Sequence, residues 1–125
     1  MEEKHLSECE ELVLRTIWSC DEALTMQEIA EKVNQLYKRN WSSKTVSVFL
    51  HRIVQKGYLT AKRKGRVFYY YPLVDEAEYR QQAISKCIEV WSDGHVDSFL
   101  AAFVQKRPLT EEEKIRIRGM IDAME

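Results

Sequence analysis

The run Ser42-Ser43-Lys44-Thr45-Val46-Ser47-Val48-Phe49-Leu50-His51-Arg52-Ile53-Val54-Gln55-Lys56-Gly57 changes character at its last residue. Up to that point Val46, Phe49, Leu50, Ile53 and Val54 recur at the spacing of one face of an α-helix. Either serine at the front can cap this helix, and Gly57 can stop it. Beyond Gly57, Tyr58-Leu59-Thr60-Ala61 and Val67-Phe68-Tyr69-Tyr70-Tyr71 carry the β-branched and aromatic residues that favour strands, and Pro72 closes the second run. Between them, Lys62-Arg63-Lys64-Gly65-Arg66 predicts a tight basic turn. The expectation is a helix followed at once by a hairpin with a charged tip.

Upstream, Ser7 followed by Glu10 is a capping box, in which each side chain satisfies a free N–H at a helix start. Leu6 is placed to staple it, and Leu12, Val13, Ile17 and Trp18 give an amphipathic helix ending near Cys20. A second box, Thr25 and Glu28, opens a helix through Ile29, Ala30, Val33, Leu36 and Tyr37 to about Lys38. Downstream, Asp75-Glu76 opens a long helix with Tyr79, Ala83, Ile84, Cys87, Ile88 and Trp91 on one side, broken at Asp93-Gly94. A shorter helix carries Val96, Phe99, Leu100, Phe103 and Val104. Thr110 and Glu113 form a third box before Ile115, Ile117, Met120, Ile121 and Met124. The fold class is therefore mainly α with a small β-hairpin. Three helices and a hairpin predict a winged helix-turn-helix head over residues 1–74, and the rest a helical region over 75–125.

Charge is distributed in blocks. Residues 32–74 contain no acid and ten bases, whereas residues 1–31 carry nine acids against two bases. Residues 75–125 carry eleven acids against seven bases, so the formal net charge of −1 conceals a polarised molecule. A contiguous cationic block suits a polyanion, because Lys and Arg that neutralise phosphates release condensed counterions. This block coincides with the third helix and the hairpin.

Other classes find little support. The chain of 125 residues is long enough for one domain or a domain with an appendage, and 45% hydrophobic residues suffice for a core. No apolar run reaches the ~18 residues of a membrane span, and the polar N-terminus is unlike a secretory signal. Cys9, Cys20 and Cys87 are odd in number and widely spaced, which fits buried thiols in a reducing cytoplasm. His5, His51 and His95 lack metal-ligand spacing, and no phosphate loop or nucleophile–histidine pair stands out. We expect no enzyme activity, no cofactor and no metal.

Lys44 and Thr45 are the leading candidates for base-edge contacts, followed by Ser47 and Val48. Ser42 and Ser43 offer hydroxyls and backbone donors to phosphate. Arg52, late in the helix, reads as a phosphate clamp; His51 reads as a plain surface histidine. Trp41 can buttress the helix start or offer its indole N–H to phosphate. Lys62, Arg63, Lys64 and Arg66 are the wing candidates. Tyr69, Tyr70 and Tyr71 alternate sides, so at least one faces outward.

Trp41-Ser42-Ser43-Lys44-Thr45-Val46, Leu50-His51-Arg52-Ile53-Val54-Gln55-Lys56-Gly57-Tyr58-Leu59 and Lys64-Gly65-Arg66-Val67-Phe68-Tyr69-Tyr70-Tyr71-Pro72 together resemble the penicillinase repressor family. That family includes β-lactamase, methicillin-resistance and copper-transport repressors. Val96-Asp97-Ser98-Phe99-Leu100-Ala101-Ala102-Phe103-Val104, followed by Leu109-Thr110, resembles its dimerisation region. The resemblance implies a homodimeric repressor on an inverted-repeat DNA operator. In antibiotic-responsive members a membrane sensor-protease system leads to cleavage in the tail, and Ala102–Phe103 occupies the matching position. The family pattern has asparagine there, whereas this chain has alanine. Copper-responsive members carry C-x-C pairs near the C-terminus; this chain has no cysteine after Cys87.

The residues also argue for a dimer by themselves. Tyr79, Ile84, Ile88, Trp91, Phe99, Leu100, Phe103, Ile117, Met120 and Ile121 are more apolar surface than a small head can cover, and a second copy is the expected cover. The alternatives are a ligand- or redox-responsive regulator using one of the cysteines, and a winged helix serving as a protein-interaction module.

Overall fold

The computed structural model describes residues 5–125. Helix α1 (Glu8–Trp18) starts at the expected capping box: the Glu10 N–H donates to Ser7 Oγ at 3.2 Å, and the Ser7 N–H to Glu10 Oε1 at 2.9 Å. After it come β1 (Leu24–Thr25) and α2 (Met26–Tyr37), which opens at the Thr25–Glu28 box. Lys38, in the left-handed region at φ 53°, ends α2 and turns the chain. Helix α3 (Ser43–Gln55) is capped by Ser42, whose Oγ accepts the Thr45 N–H at 3.1 Å.

The three helices meet on the faces their periodicity marks out. Val13, Leu14 and Ile17 of α1, Ile29, Ala30 and Val33 of α2, and Val46, Leu50 and Ile53 of α3 are buried together with Leu24 and Leu59. Leu6 packs on this cluster from before the first cap. Each large side chain so buried contributes about 1.5–3 kcal/mol.

One buried residue is charged. Glu10 is 1% exposed, and the Lys56 ammonium reaches its Oε1 at 2.7 Å while also donating to the His5 carbonyl at 2.7 Å. Burial alone would raise the Glu10 pKa. The Lys56 hydrogen bond, the Ser7 N–H and the charges of Lys56 and Arg52 outweigh it and hold the carboxyl below its usual value.

Strands β2 (Leu59–Lys64) and β3 (Val67–Pro72) form the hairpin, and β1 adds to β3, giving an antiparallel sheet in the order β1-β3-β2. This departs from the sequence reading in two ways. The short β1 was not foreseen, because two residues carry no periodicity; it forms by pairing Leu24 with Tyr70 and Thr25 with Tyr69. The turn is also tighter than expected. Lys62, Arg63 and Lys64 belong to β2, and only Gly65 and Arg66 make the loop. Gly65 has φ +65°, the positive angle that the first loop residue of a type II′ hairpin requires.

The helices α4 (Glu76–Ser92), α5 (Val96–Lys106) and α6 (Glu111–Asp122) complete the chain. The chain divides into two compact units, one ending at Tyr79 and the other covering Arg80–Glu125. The division falls inside α4 because its first turn belongs to the head. The Tyr79 hydroxyl donates to Glu11, and its ring lies 5.6 Å from those of both Trp18 and Tyr58. Within the second unit, Asp93 (φ 49°) and Gly94 (φ 84°) end α4. The Thr110–Glu113 box starts α6, and Arg107 pairs with Glu113 at 3.0 Å across the turn from α5. That ion pair, with the Thr110 N–H, holds the Glu113 carboxyl down at about 2. Among the described residues no helix is long and apolar enough to cross a membrane.

Candidate nucleic-acid interface

Helix α3 buries Val46, Leu50 and Ile53 and leaves Lys44, Ser47, Val48, His51 and Arg52 exposed. Val48 is 44% exposed, an apolar side chain available to a thymine methyl. At the front of the helix Ser42 is exposed, and Ser43 and Thr45 are half-buried. The Ser42 hydroxyl donates to Thr45 Oγ1 at 3.1 Å, so the two hydroxyls are linked across the first turn. The first-turn amides and Lys44 form an electropositive helix start with no acid in that turn.

Trp41 sets the position of this start. It is half-buried, with its ring in edge contact with Phe49 at 5.0 Å and the Arg39 guanidinium 5.9 Å from its centroid. The Asn34 side chain bonds both backbone groups of Trp41. Asn34 and Arg39 were not singled out from the sequence. An asparagine late in an amphipathic helix looks like an ordinary polar-face residue, and only the return of the chain towards α2 gives it a task.

The wing presents its cations on two faces, because successive strand side chains alternate. Lys62 pairs with Tyr69 and lies 5.1 Å from the Tyr71 ring; Lys64 lies 5.6 Å from the Tyr69 ring. These four side chains share one face. On the other, Leu59 and Tyr70 turn to the core, Ala61 pairs with Tyr70, and Arg63 pairs with Phe68 further out. Arg66 is exposed in the loop. Lys56, part of the same basic block, is committed inward to Glu10. The remaining basic side chains of α3 and the wing are exposed on a stretch that contains no carboxylate between Glu31 and Asp75.

The chain as a whole is similar to known proteins. A family model described as penicillinase repressor matches residues 6–123, nearly the whole chain. The chain belongs to the penicillinase repressor family. A methicillin resistance regulatory protein MecI from Mammaliicoccus sciuri is 27% identical over 117 residues, which cover 94% of this chain and 93% of that protein. A penicillinase repressor from Bacillus licheniformis is 28% identical over 108 residues, covering 86% and 82%. The solution structure of the DNA-binding domain of the repressor BlaI matches with a TM-score of 0.52 at 31% identity. That match covers 62% of this chain and 92% of the domain.

In this penicillinase repressor family member the second unit offers a different surface. None of α4, α5 or α6 buries a residue within the chain. Trp91 is 80% exposed, and Ile84, Leu100, Phe103, Met120 and Ile121 are exposed as well. Ile88, Phe99 and Ile117 are half-buried. Tyr79, read from the sequence as a pairing residue, packs within the first unit instead, where burial and the bond to Glu11 raise its phenol pKa. Ala102 and Phe103 are both exposed on α5. Among the described residues no cluster of His, Cys, Asp and Glu could hold a metal.

Proposed function

We propose that this protein is a DNA-binding transcriptional repressor that occupies an inverted-repeat operator as a homodimer and acts in the cytoplasm. The observation that carries the reading is the acid-free surface formed by the outward side of α3 and the β2–β3 wing. Lys44, Thr45, Ser47 and Val48 reach base edges in the major groove. Trp41, Ser42, Ser43, His51 and Arg52 line the approach, with Arg52 on phosphate. Lys62, Arg63, Lys64 and Arg66 extend the grip to the neighbouring backbone and groove. No step of bond making or breaking is involved, and no catalytic group is required.

The unburied apolar side chains of α4–α6 support the second copy: Ile84, Ile88, Trp91, Phe99, Leu100, Phe103, Ile117, Met120 and Ile121 are a large apolar surface for one chain to leave open. Two heads related by a two-fold axis would meet half-sites a whole number of helical turns apart, roughly 34 Å per turn. Relatives named for methicillin resistance and penicillinase suggest control of antibiotic resistance genes, with a membrane sensor-protease system as the upstream partner. Release would follow cleavage at Ala102–Phe103, which requires α5 to open locally, since a helical backbone does not fit a protease cleft.

The test is selection from a randomised duplex library, followed by sedimentation of the complex. Enrichment of a two-fold symmetric sequence bound by two chains is the expected result. A single subunit that retains no duplex, even at low salt, would sink the reading.

A further inference from the structure

The wing cations are not equivalent. Lys62 and Lys64 set compact ammonium charges over the Tyr71 and Tyr69 rings on one face of the hairpin. Arg63 stands on the other face and is held twice. Its Nε donates to the Gly65 carbonyl at 2.8 Å, and its guanidinium carbon lies 5.9 Å from the centroid of the Phe68 ring, its cross-strand neighbour. Phe68 is 49% exposed at the far end of β3, beyond the reach of the core. The open phenyl ring lies beside the guanidinium and not in the core. With Nε committed to Gly65, the donors left for a ligand are the two terminal amino groups.

We propose that Arg63 reads the width of the minor groove beside each half-site and that Phe68 is its positioning residue. The inference rests on the operator-binding reading above and adds a specificity-determining role for the wing. A guanidinium is more weakly hydrated than an ammonium, so it loses less on entering a confined groove. A·T-rich minor grooves are narrow and strongly negative, and they attract inserted arginine. Holding the side chain in advance reduces the conformational entropy lost on insertion. The two-residue loop next to it is slender: a Cβ built on Gly65 would meet nothing within 4 Å. Lys62 and Lys64, point charges on the opposite face with no hydrogen bond to the loop among the described residues, follow phosphates without regard to sequence.

The experiment measures affinity for the selected half-sites with the flanking base pairs made A·T, G·C or inosine·C. Inosine lacks the amino group that guanine places in the minor groove, yet keeps its major-groove pattern. The wild-type protein should favour A·T and inosine·C flanks over G·C by about tenfold, the scale of one well-read base pair. R63K keeps the charge and should bring the ratio close to one with an unchanged salt dependence. F68A should do the same, and F68Y should restore the preference. A preference that survives R63K, or inosine·C flanks that behave like G·C, overturns the groove reading. A preference that survives F68A overturns the positioning role. Failure of the wild-type protein to bind any of these duplexes removes the operator reading along with this one, whereas tight binding without flank preference removes this one alone.

Discussion

The carboxamide of Asn34 in α2 grips both backbone groups of Trp41, donating from Nδ2 to its carbonyl at 2.9 Å and accepting its N–H on Oδ1 at 3.0 Å. A carboxamide donates and accepts through two separate atoms spaced like a peptide group's own, so the turn between α2 and α3 is closed as if by a strand pair. Trp41 in turn packs on Phe49 of α3. The first turn of α3 is thus registered against the core through a side chain of α2.

Asn34→Asp keeps the acceptor but loses the donor, and Asn34→Ala loses both. Each lost hydrogen bond costs about 0.5–1.5 kcal/mol in stability, measurable by urea unfolding. The telling readout is the ratio of operator to random-duplex affinity, which should fall in both variants while random binding is retained. Loss of both affinities in equal proportion would assign Asn34 a purely structural role.

Lys56→Met leaves the Glu10 carboxylate buried without its cation. We expect a loss of about 2 kcal/mol at neutral pH, the scale of a hydrogen bond to a charged group. In the wild-type protein the Glu10 pKa is lowered, so its contribution is present above the unfolded carboxyl value and is lost as pH falls through the folded one. Without Lys56 the carboxyl loses that hydrogen bond and that charge, so its pKa rises relative to the wild-type protein. The stability gap between the two proteins should therefore narrow as pH is lowered through the carboxylate range, and a gap independent of pH would contradict the pairing.

Lys44→Ala and Thr45→Ala should each reduce discrimination between operator and random duplex by about 1–3 kcal/mol if both touch base edges. Replacing Lys62 and Lys64 by glutamine should weaken binding to all duplexes alike and flatten the slope of log affinity against log salt by about 0.9 per lost phosphate contact. An unchanged slope would take the wing lysines off the DNA.

Trp91→Glu puts a charge at the most exposed aromatic position of the second unit. Sedimentation should show the dimer dissociating at concentrations where the wild-type protein is paired, while the far-UV spectrum of the head is retained. A variant that pairs normally would move the interface away from α4.

Much of the fold was legible because the interactions that fix it are local. The boxes at Ser7–Glu10, Thr25–Glu28 and Thr110–Glu113 each join residues three apart, and all three start helices. The stripe Val46, Leu50 and Ile53 is buried as its spacing implies. The wing was legible as a hairpin but not in detail. Expecting Lys62 to Arg66 as one basic tip missed that a glycine with positive φ at position 65 closes a two-residue loop, which draws three cations into the strand and deals them to alternate faces.

The amino-acid sequence by itself determined where helices begin, which face each of the first three buries, and that the third helix and hairpin are free of acids, since all of these depend on residues within a turn or a strand of one another. Only the tertiary structure decided that Lys56 serves Glu10, 46 positions away, and not a phosphate. Packing alone likewise seats Tyr79 against Trp18 and Tyr58, ties Asn34 to Trp41, and lets Leu24–Thr25 become a strand by joining β3. Such partners meet after the chain has folded back on itself, and their pairing leaves no periodic mark along it.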